Sequence, residues 1–365
     1  MVAAPTMLGG CASAPGEVPG RLAEAKSARG DEGRARARDL GIHIGEFASG
    51  DFDAITDVPG VRVGHATLHE GERLHTGVTV ILPPGDNPFR DRCPAALVVQ
   101  NGFGKFVGAT QIMELGEIES PIALTGTLNV HRVADGLLDF VLGLPGNERV
   151  RSVNVVVGET NDGRLSDIRA RPVSAEHVAA AIAAAASGPL AVGAVGAGAG
   201  TVAFGRKGGI GTASRRVGGH TLGVLVQSNF GGSLTIDGWR YAEDRPAASD
   251  HDGSCVIVLA TDAPLDAAAL RRLATRCFAG MARTGASFSH GSGDYALAFT
   301  TARVVAGHVT SLSGDALSPW FRAAADATEQ AILDSLCAAT TTRGPNGTVE
   351  ALPLAPIRER SRSRR

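Results

Sequence analysis

Short apolar runs, separated by amphipathic stretches, constrain the fold of this chain more than any other feature. Runs rich in Val, Ile and Leu that are too short for buried helices predict strands. These runs are Val61–Val63, Val78–Leu82, Ala96–Val99, Val153–Val157, Thr221–Gln227, Cys255–Ala260 and Tyr295–Val304. Helices are predicted over Asn129–Leu142, from Ser174 onward, over Asp266–Met281 and over Pro319–Cys337. Because helices and strands are interleaved but clustered, they favour a layered α+β sandwich over a strict βαβ repeat.

The composition fits a sizeable core that is built from small side chains. Of 365 residues, 44% are hydrophobic, only 4% are aromatic and 48 are glycine, so small aliphatic groups must fill most of the interior. The net charge of −2 gives no global basic field, so we expect neither nucleic acid nor a membrane as a partner. No apolar run reaches the roughly 20 residues that a membrane-spanning helix needs.

One continuous globular region, residues 39–353, lies between two polar ends. Residues 1–38 lack apolar periodicity and predict a disordered leader, whereas residues 354–365 predict a disordered basic tail. Met7–Cys11 resembles a lipobox, but the charged and apolar regions of a signal peptide are missing. The cysteines match no zinc or disulfide spacing, which favours a cytoplasmic protein with reduced thiols. They are Cys11, Cys93, Cys255, Cys277 and Cys337.

A Gly-Ser step, Gly253–Ser254, stands directly before the apolar run that begins at Cys255. At such a step the serine hydroxyl can attack the preceding glycyl carbonyl, and glycine tolerates the strained backbone that this requires. Hydrolysis of the resulting ester frees the serine α-amine, whose ordinary pKa is about 7.7–8.0, so that it can act as general base for its own hydroxyl. Taken alone, the dipeptide is more typical of a turn before a strand.

Six motifs in a fixed order relate this step to a known family. They are Ala54–His65, Val157–Gly163, Phe204–Arg215, Val226–Gly231, Gly253–Ser254 and Ser289–Asp294. In these motifs the chain resembles the L-aminopeptidase/D-esterase (DmpA-like) family of self-processing N-terminal serine hydrolases, which includes the β-peptidyl aminopeptidases. The resemblance covers about residues 39–340 and leaves both polar ends outside.

The resemblance implies a four-layer αββα sandwich, similar to that of N-terminal nucleophile hydrolases but with different strand connectivity. It also implies that the catalytic domain, residues 39–353, is cut between Gly253 and Ser254 into two chains that stay together and assemble into a tetramer. The implied activity is that of an aminopeptidase that releases N-terminal residues from small peptides, amides or esters. The reaction would pass through an acyl-Ser254 intermediate, and we expect no cofactor and no metal.

The family's site roles fall on individual residues of this sequence. Ser254 is the expected nucleophile, and Ser292 and Asp294 are expected to orient and polarise its amine and hydroxyl. The family often has Glu at the position of Asp294. Asn229 is the expected oxyanion donor. Glu159 is expected to hold the ammonium group of the substrate.

One position departs from the family pattern. Some members carry a tyrosine where this chain has Asn161. The chain's two tyrosines, Tyr241 and Tyr295, are far from this segment in sequence. We therefore assign no tyrosine to oxyanion stabilisation.

Two alternative functions stay open. Ornithine acetyltransferases share a comparable fold and self-cleavage, and the same acyl-serine could pass to an amine, but they typically cut before Thr rather than Ser. A non-catalytic or nucleotide-binding protein could also keep the fold. Gly193–Gly211 matches the dinucleotide fingerprint only loosely and leaves no room for a long helix, so it favours a close-packed loop near the site or a subunit contact. His65, His69 and His75 do not have the spacing of a metal site and are predicted as surface or loop histidines.

Overall fold

The protein, seen as a computed structural model, is described over residues 34–241, 253–302 and 312–363. The strands are β1 (Arg62–Glu70), β2 (Leu74–Leu82), β3 (Cys93–Gly102), β4 (Glu117–Ile118), β5 (Ile122–Gly126), β6 (Val156–Thr160), β7 (Val202–Ala203), β8 (Arg206–Lys207), β9 (Gly209–Val217), β10 (His220–Asn229), β11 (Thr235–Ile236), β12 (Trp239–Arg240), β13 (Ser254–Thr261), β14 (Gly293–Thr300), β15 (Thr342–Gly344) and β16 (Gly347–Val349). The helices are α1 (Ala109–Leu115), α2 (Val130–Leu142), α3 (Ala175–Ala183), α4 (Ala267–Arg283), α5 (Ser318–Cys337) and α6 (Ala355–Ser363).

Two sheets form the centre of the molecule. One has six strands in the order β4-β3-β14-β13-β10-β9, and the other has four in the order β1-β2-β5-β6. In the six-stranded sheet β13 runs parallel to β14 and antiparallel to β10. Strand β13 thus occupies an interior position with a neighbour on each side.

The sheets and helices stack in four layers. Helices α4 and α5 cover the outer face of the six-stranded sheet, and α2 and α3 cover the outer face of the four-stranded one. The inner faces meet in an apolar cluster, where Leu124 and Val156 pack with Val256, Val258 and Leu297. The expected αββα sandwich is therefore confirmed.

Small residues let these layers approach closely. A Cβ added at Gly211 on β9 would lie 1.8 Å from the carbonyl oxygen of Ala331 on α5, so only glycine fits there. Strand β13 is buried on both faces, in agreement with its nearly continuous apolar sequence. The glycine-rich, aromatic-poor composition is thus a packing requirement of the layered fold.

Both predicted end segments extend too far into the folded region. Ala37 is fully buried and its N–H donates to Asp334 Oδ1 at 2.7 Å, and Arg36 forms an ion pair with the same carboxylate. At the other end α6 is helical over Ala355–Ser363 and buries Ile357. The disordered leader is wrong for residues 34–38, and the disordered tail is wrong for residues 355–363. Charged anchors and one isolated apolar residue leave no periodic signal; residues 1–33 and 364–365 lie outside the described residues.

The cysteines and the helices can also be compared with the sequence predictions. Cys93, Cys255, Cys277 and Cys337 are buried free thiols, and Cys11 lies outside the described residues. No helix in the described parts of the chain is long and apolar enough to cross a membrane.

Candidate active site

Ser254 is the first residue of β13 and lies between two strand ends. Its Cα is paired with Asn229 at the end of β10 and with Gly293 at the start of β14. The hydroxyl donates to the carbonyl oxygen of Gly253 at 2.5 Å and accepts from the Gly293 N–H at 3.3 Å. The side chain is buried, with 4% of the residue surface exposed. The strand order thus places a nucleophilic oxygen beside the carbonyl of the Gly-Ser step.

Gly253 fits tightly against its neighbours. The Gly293 N–H donates to its carbonyl oxygen at 3.2 Å. A Cβ at Gly253 would lie 3.1 Å from the Cα of Phe230 and 3.3 Å from Ser292 Oγ, so a larger residue would have to displace backbone. His251, three residues before Ser254 in the sequence, lies outside the described residues.

Ser292 and Asp294 form a buried pair next to this step. Ser292 Oγ donates to Asp294 Oδ1 at 2.8 Å, and the Cys255 backbone N–H also hydrogen-bonds the carboxylate. Burial raises the pKa of Asp294 to about 6, against the opposing effect of these hydrogen bonds. Its Oδ2 is buried and has no hydrogen-bond partner in the described part of the chain. This oxygen is available for a further donor.

The orientation of the Asn229 amide is fixed by the backbone. Its Oδ1 accepts from the Val202 N–H at 2.9 Å, so the opposite end of the amide must be the NH2 group. Within the described residues Nδ2 has no acceptor. Because Asn229 and Ser254 are directly opposite in the β10–β13 ladder, a free amide donor accompanies the hydroxyl.

Glu159 lies at the end of β6 and is buried. Its Oε1 accepts from the Lys105 backbone N–H at 3.0 Å and lies 3.7 Å from Lys105 Nζ. Burial raises the pKa of Glu159, while the hydrogen bond and the charge of Lys105 lower it in part. The carboxylate therefore already faces one ammonium group.

Tyr295 also belongs to this region, although its sequence position did not suggest it. A Cβ at Gly104 would lie 2.9 Å from both Tyr295 OH and Glu159 Oε1, so the phenol and the carboxylate flank one point. Burial and the negative charges of Glu159 and Asp294 raise the Tyr295 pKa to about 12. Its hydroxyl has no hydrogen-bond partner among the described residues. The position of Tyr295 directly after Asp294, the last residue of a site motif, is the sequence feature that could have predicted its place in the site.

Asn161, by contrast, is exposed and does not line the site. Its Oδ1 accepts from the Gly163 N–H at 2.9 Å, which is a turn interaction. The structure thus brings together Ser254, Asn229, Ser292 and Asp294 around one strand end, with Glu159 and Tyr295 beside each other nearby.

The sequence profile of peptidase family S58 matches residues 53–350. The chain belongs to peptidase family S58. A β-peptidyl aminopeptidase BapA from Sphingosinicella microcystinivorans is 40% identical, covering 92% of this chain and 93% of the relative. A β-aminopeptidase from a Burkholderia species is 40% identical with a TM-score of 0.84, covering 90% of this chain and 99% of that one.

A third similar protein, whose structure is solved, shows the fold class to which this chain belongs. It is the L-aminopeptidase D-Ala-esterase/amidase of Ochrobactrum anthropi, described as a prototype for the serine aminopeptidases and a new variant of the N-terminal nucleophile hydrolase fold. It is 33% identical with a TM-score of 0.83, covering 90% of this chain and 98% of that one. The S58 chain is accordingly a hydrolase, a serine aminopeptidase with the N-terminal nucleophile fold.

The glycine-rich segment of the S58 chain packs beside the site. Gly196–Gly198 form a single 3-10 turn, and β7 and β8 follow as a short hairpin. The Val202 N–H from this hairpin binds Asn229. Of the two interpretations of the segment, the close-packed loop near the site agrees with these contacts.

Strands β1 and β2 carry His65, His69 and His75, so the prediction of surface or loop positions is wrong for two of these three histidines. His65 Nδ1 hydrogen-bonds Thr79 Oγ1, and burial lowers the His65 pKa to about 4. His75 is buried on β2 and contacts the exposed His69 across the β1–β2 ladder. No group of three or more His, Cys, Asp or Glu side chains in the described ranges could hold a metal ion.

Proposed function

We propose that the chain cuts itself between Gly253 and Ser254 and that Ser254 is the nucleophile of the mature aminopeptidase. One observation carries the proposal: Ser254 Oγ contacts the Gly253 carbonyl oxygen while the Gly293 N–H donates to that same oxygen. The nucleophile and a donor for the developing negative charge are therefore in place in the uncut chain.

The cut proceeds by an acyl shift from nitrogen to oxygen. Ser254 Oγ attacks the Gly253 carbonyl carbon, the C–N bond breaks, and the proton of the hydroxyl ends on the Ser254 nitrogen. Water then hydrolyses the Gly253 ester, which leaves a Gly253 carboxylate and a free Ser254 amine. The lack of a side chain at Gly253 supports this step, because a Cβ there would lie only 3.1 Å from the Cα of Phe230 and would disturb the position of the carbonyl.

Turnover repeats the chemistry on the substrate. The free Ser254 amine takes the hydroxyl proton, Oγ attacks the substrate carbonyl, and the amine or alcohol side of the substrate leaves with a proton. Asn229 Nδ2 donates to the oxyanion. Asp294 accepts from Ser292 and, through its unpartnered Oδ2, from the Ser254 amine. Water then hydrolyses the acyl-Ser254 ester.

The substrate is proposed to be a small peptide, amino-acid amide or ester with a free amine. Glu159 supports this, because a buried carboxylate that already faces the Lys105 ammonium can bind the ammonium of a substrate. Two relatives are named β-peptidyl aminopeptidases, and this similarity supports β-aminoacyl compounds among the proposed substrates.

Intact-mass analysis of the purified protein tests the proposal. We expect two species that together account for the 37.3 kDa chain, with the smaller species starting at Ser254. Ser254→Ala should give one uncut chain without peptidase activity. Ser289→Ala is the matched control, because its hydroxyl makes no hydrogen bond in the described part of the chain. Turnover by Ser254→Ala would contradict the proposal, and so would a cut at another bond.

We further propose a cytoplasmic tetramer. The four buried free thiols support a reducing compartment.

The tetramer is supported by exposed apolar side chains near the edge of β3, which could form a subunit contact. They are Val99, Phe103, Met113 and Leu115. Analytical ultracentrifugation tests the assembly, and a monomer across the micromolar range would contradict it.

A further inference from the structure

Lys207 is a fully buried lysine that no step above uses. Its Nζ donates to three backbone carbonyl oxygens, those of Gly198 at 2.9 Å, Thr201 at 3.0 Å and Gly208 at 2.8 Å. An ammonium group has three donors, so the protonated side chain is satisfied by these acceptors. Burial of such a group is costly and requires this full set of partners.

One of these acceptors belongs to a peptide unit with a second role. The Thr201 carbonyl and the Val202 N–H are two ends of the same planar peptide, which is trans. The carbonyl accepts from Lys207, and the N–H donates to Asn229 Oδ1 at 2.9 Å. Because carbonyl and N–H point in opposite directions in a trans peptide, this unit lies between the ammonium and the amide.

We infer that Lys207 is a positioning residue that holds the Thr201–Val202 peptide so that Asn229 presents its NH2 group to the oxyanion. The inference rests on the proposed role of Asn229. A positive charge on the carbonyl fixes the plane of the peptide and strengthens the hydrogen bond of its N–H through polarisation. The Asn229 amide is symmetric in shape, and only this N–H distinguishes its two ends within the described residues.

The same lysine fixes the turn that precedes the peptide. Gly198, a second acceptor of Lys207, also accepts from Thr201 Oγ1, so the turn is closed around the ammonium. Burial lowers the pKa of Lys207 to about 7, whereas the negative charge of Asp162 raises it and the three carbonyl acceptors stabilise the protonated form. Asp162 is itself buried, and Thr76 Oγ1 donates to it at 2.5 Å. The hairpin of β7 and β8 therefore carries its own buried cation.

A double-mutant cycle with Asn229 tests the inference. Lys207→Met removes charge and donors, and misplacing a catalytic group by about 1 Å costs on the order of 100-fold, so we expect kcat to fall about 10- to 100-fold. KM should stay nearly unchanged, because Glu159 binds the substrate elsewhere. In an Asn229→Ala background the same Lys207→Met change should reduce kcat by less than about 3-fold, since the group it positions is gone. Rates are normalised to the cut fraction measured by intact mass.

Lys207→Gln is the second variant, since it keeps two donors without the charge. It should fold where Lys207→Met does not and should lose less of kcat. Equal losses of kcat in both Asn229 backgrounds would overturn the inference, and so would unchanged kcat in Lys207→Met. Insoluble protein from both variants would assign Lys207 to folding alone and would also overturn it. An uncut wild-type chain or an active Ser254→Ala variant would instead contradict the proposed function.

Discussion

At the scale of single residues, the protonation of Asp294 should be visible in the pH profile. Burial raises its pKa to about 6, so its carboxylate is ionised only above that pH. The Ser254 amine must also be neutral, with an ordinary pKa of about 7.7–8.0. At saturating substrate, where Glu159 is already paired with the substrate ammonium, we expect log(kcat) to rise with pH at slope one below that range and at slope two below about pH 6.

Asp294→Asn is the control for this assignment. It removes the acidic group, so its residual activity should rise with slope one throughout. Asp294→Glu keeps a carboxylate, and Glu is the residue that the family often has at this position. This variant should therefore retain the slope of two at low pH. A slope of two that persists in Asp294→Asn would assign the lower ionisation to another residue.

A second residue-scale prediction concerns Lys105 and Glu159. The Lys105 ammonium lies 3.7 Å from the carboxylate that is proposed to bind the substrate ammonium, so the two cations compete. We expect Lys105→Met to lower KM by roughly 2- to 5-fold with little change in kcat, in keeping with the modest energy of a half-exposed ion pair. Glu159→Gln should raise KM. Lys105→Arg is the matched control; a higher KM in Lys105→Met would show that Lys105 orients Glu159 instead.

At the scale of elements, the C-terminal helix α6 should contribute to stability. Ile357 is only 1% exposed and packs with Leu40, Ile42 and Leu352. Ile357→Ala should lower the free energy of unfolding by about 2 kcal/mol or more, because it leaves a cavity. Urea unfolding in the uncut Ser254→Ala background measures this. The exposed control Glu359→Ala should change stability by less than about 0.5 kcal/mol, and equal effects of the two changes would contradict the packing role.

The elements also show what sequence could and could not predict. Strand β13 was predictable because both of its faces are buried, which leaves a continuous apolar run. Helix α6 was not, because Ile357 is its only buried side chain and the other residues resemble a solvated tail. The short strands β7 and β8 were hidden among glycines, since each has only two residues and leaves no periodic pattern.

The site shows the same limit. Motif order predicted Ser254, Asn229, Ser292 and Asp294, and these do lie around one strand end. Tyr295 was excluded because it is distant from Asn161 along the chain. Tyr295 comes close to Glu159 only because the two sheets pack face to face, and no local sequence pattern encodes that packing.

At the scale of the whole molecule, the four layers turn a linear order of motifs into one site. Glu159 comes from the four-stranded sheet, whereas Ser254 comes from the six-stranded one. The apolar cluster between the sheets therefore sets the separation of the proposed ammonium site and nucleophile.

The sheet order also decides what happens after the proposed cut. The smaller chain would contribute β13 and β14, and these lie between β10 and β3 of the larger chain. Each of the two strands is hydrogen-bonded to a strand of the other chain, and α4 and α5 of the smaller chain cover the sheet. The two chains thus share one core and cannot part without exposing it.

We therefore expect the cut chains to co-elute in size-exclusion chromatography and to appear as one complex in native mass spectrometry. Rising urea should separate them only at concentrations where the near-ultraviolet circular dichroism of the core is also lost. The uncut Ser254→Ala chain is the control, because its two parts stay covalently joined and cannot separate at any urea concentration. Release of the smaller chain while the core signal persists would show that β13 and β14 form a separable unit, contrary to their position in the sheet.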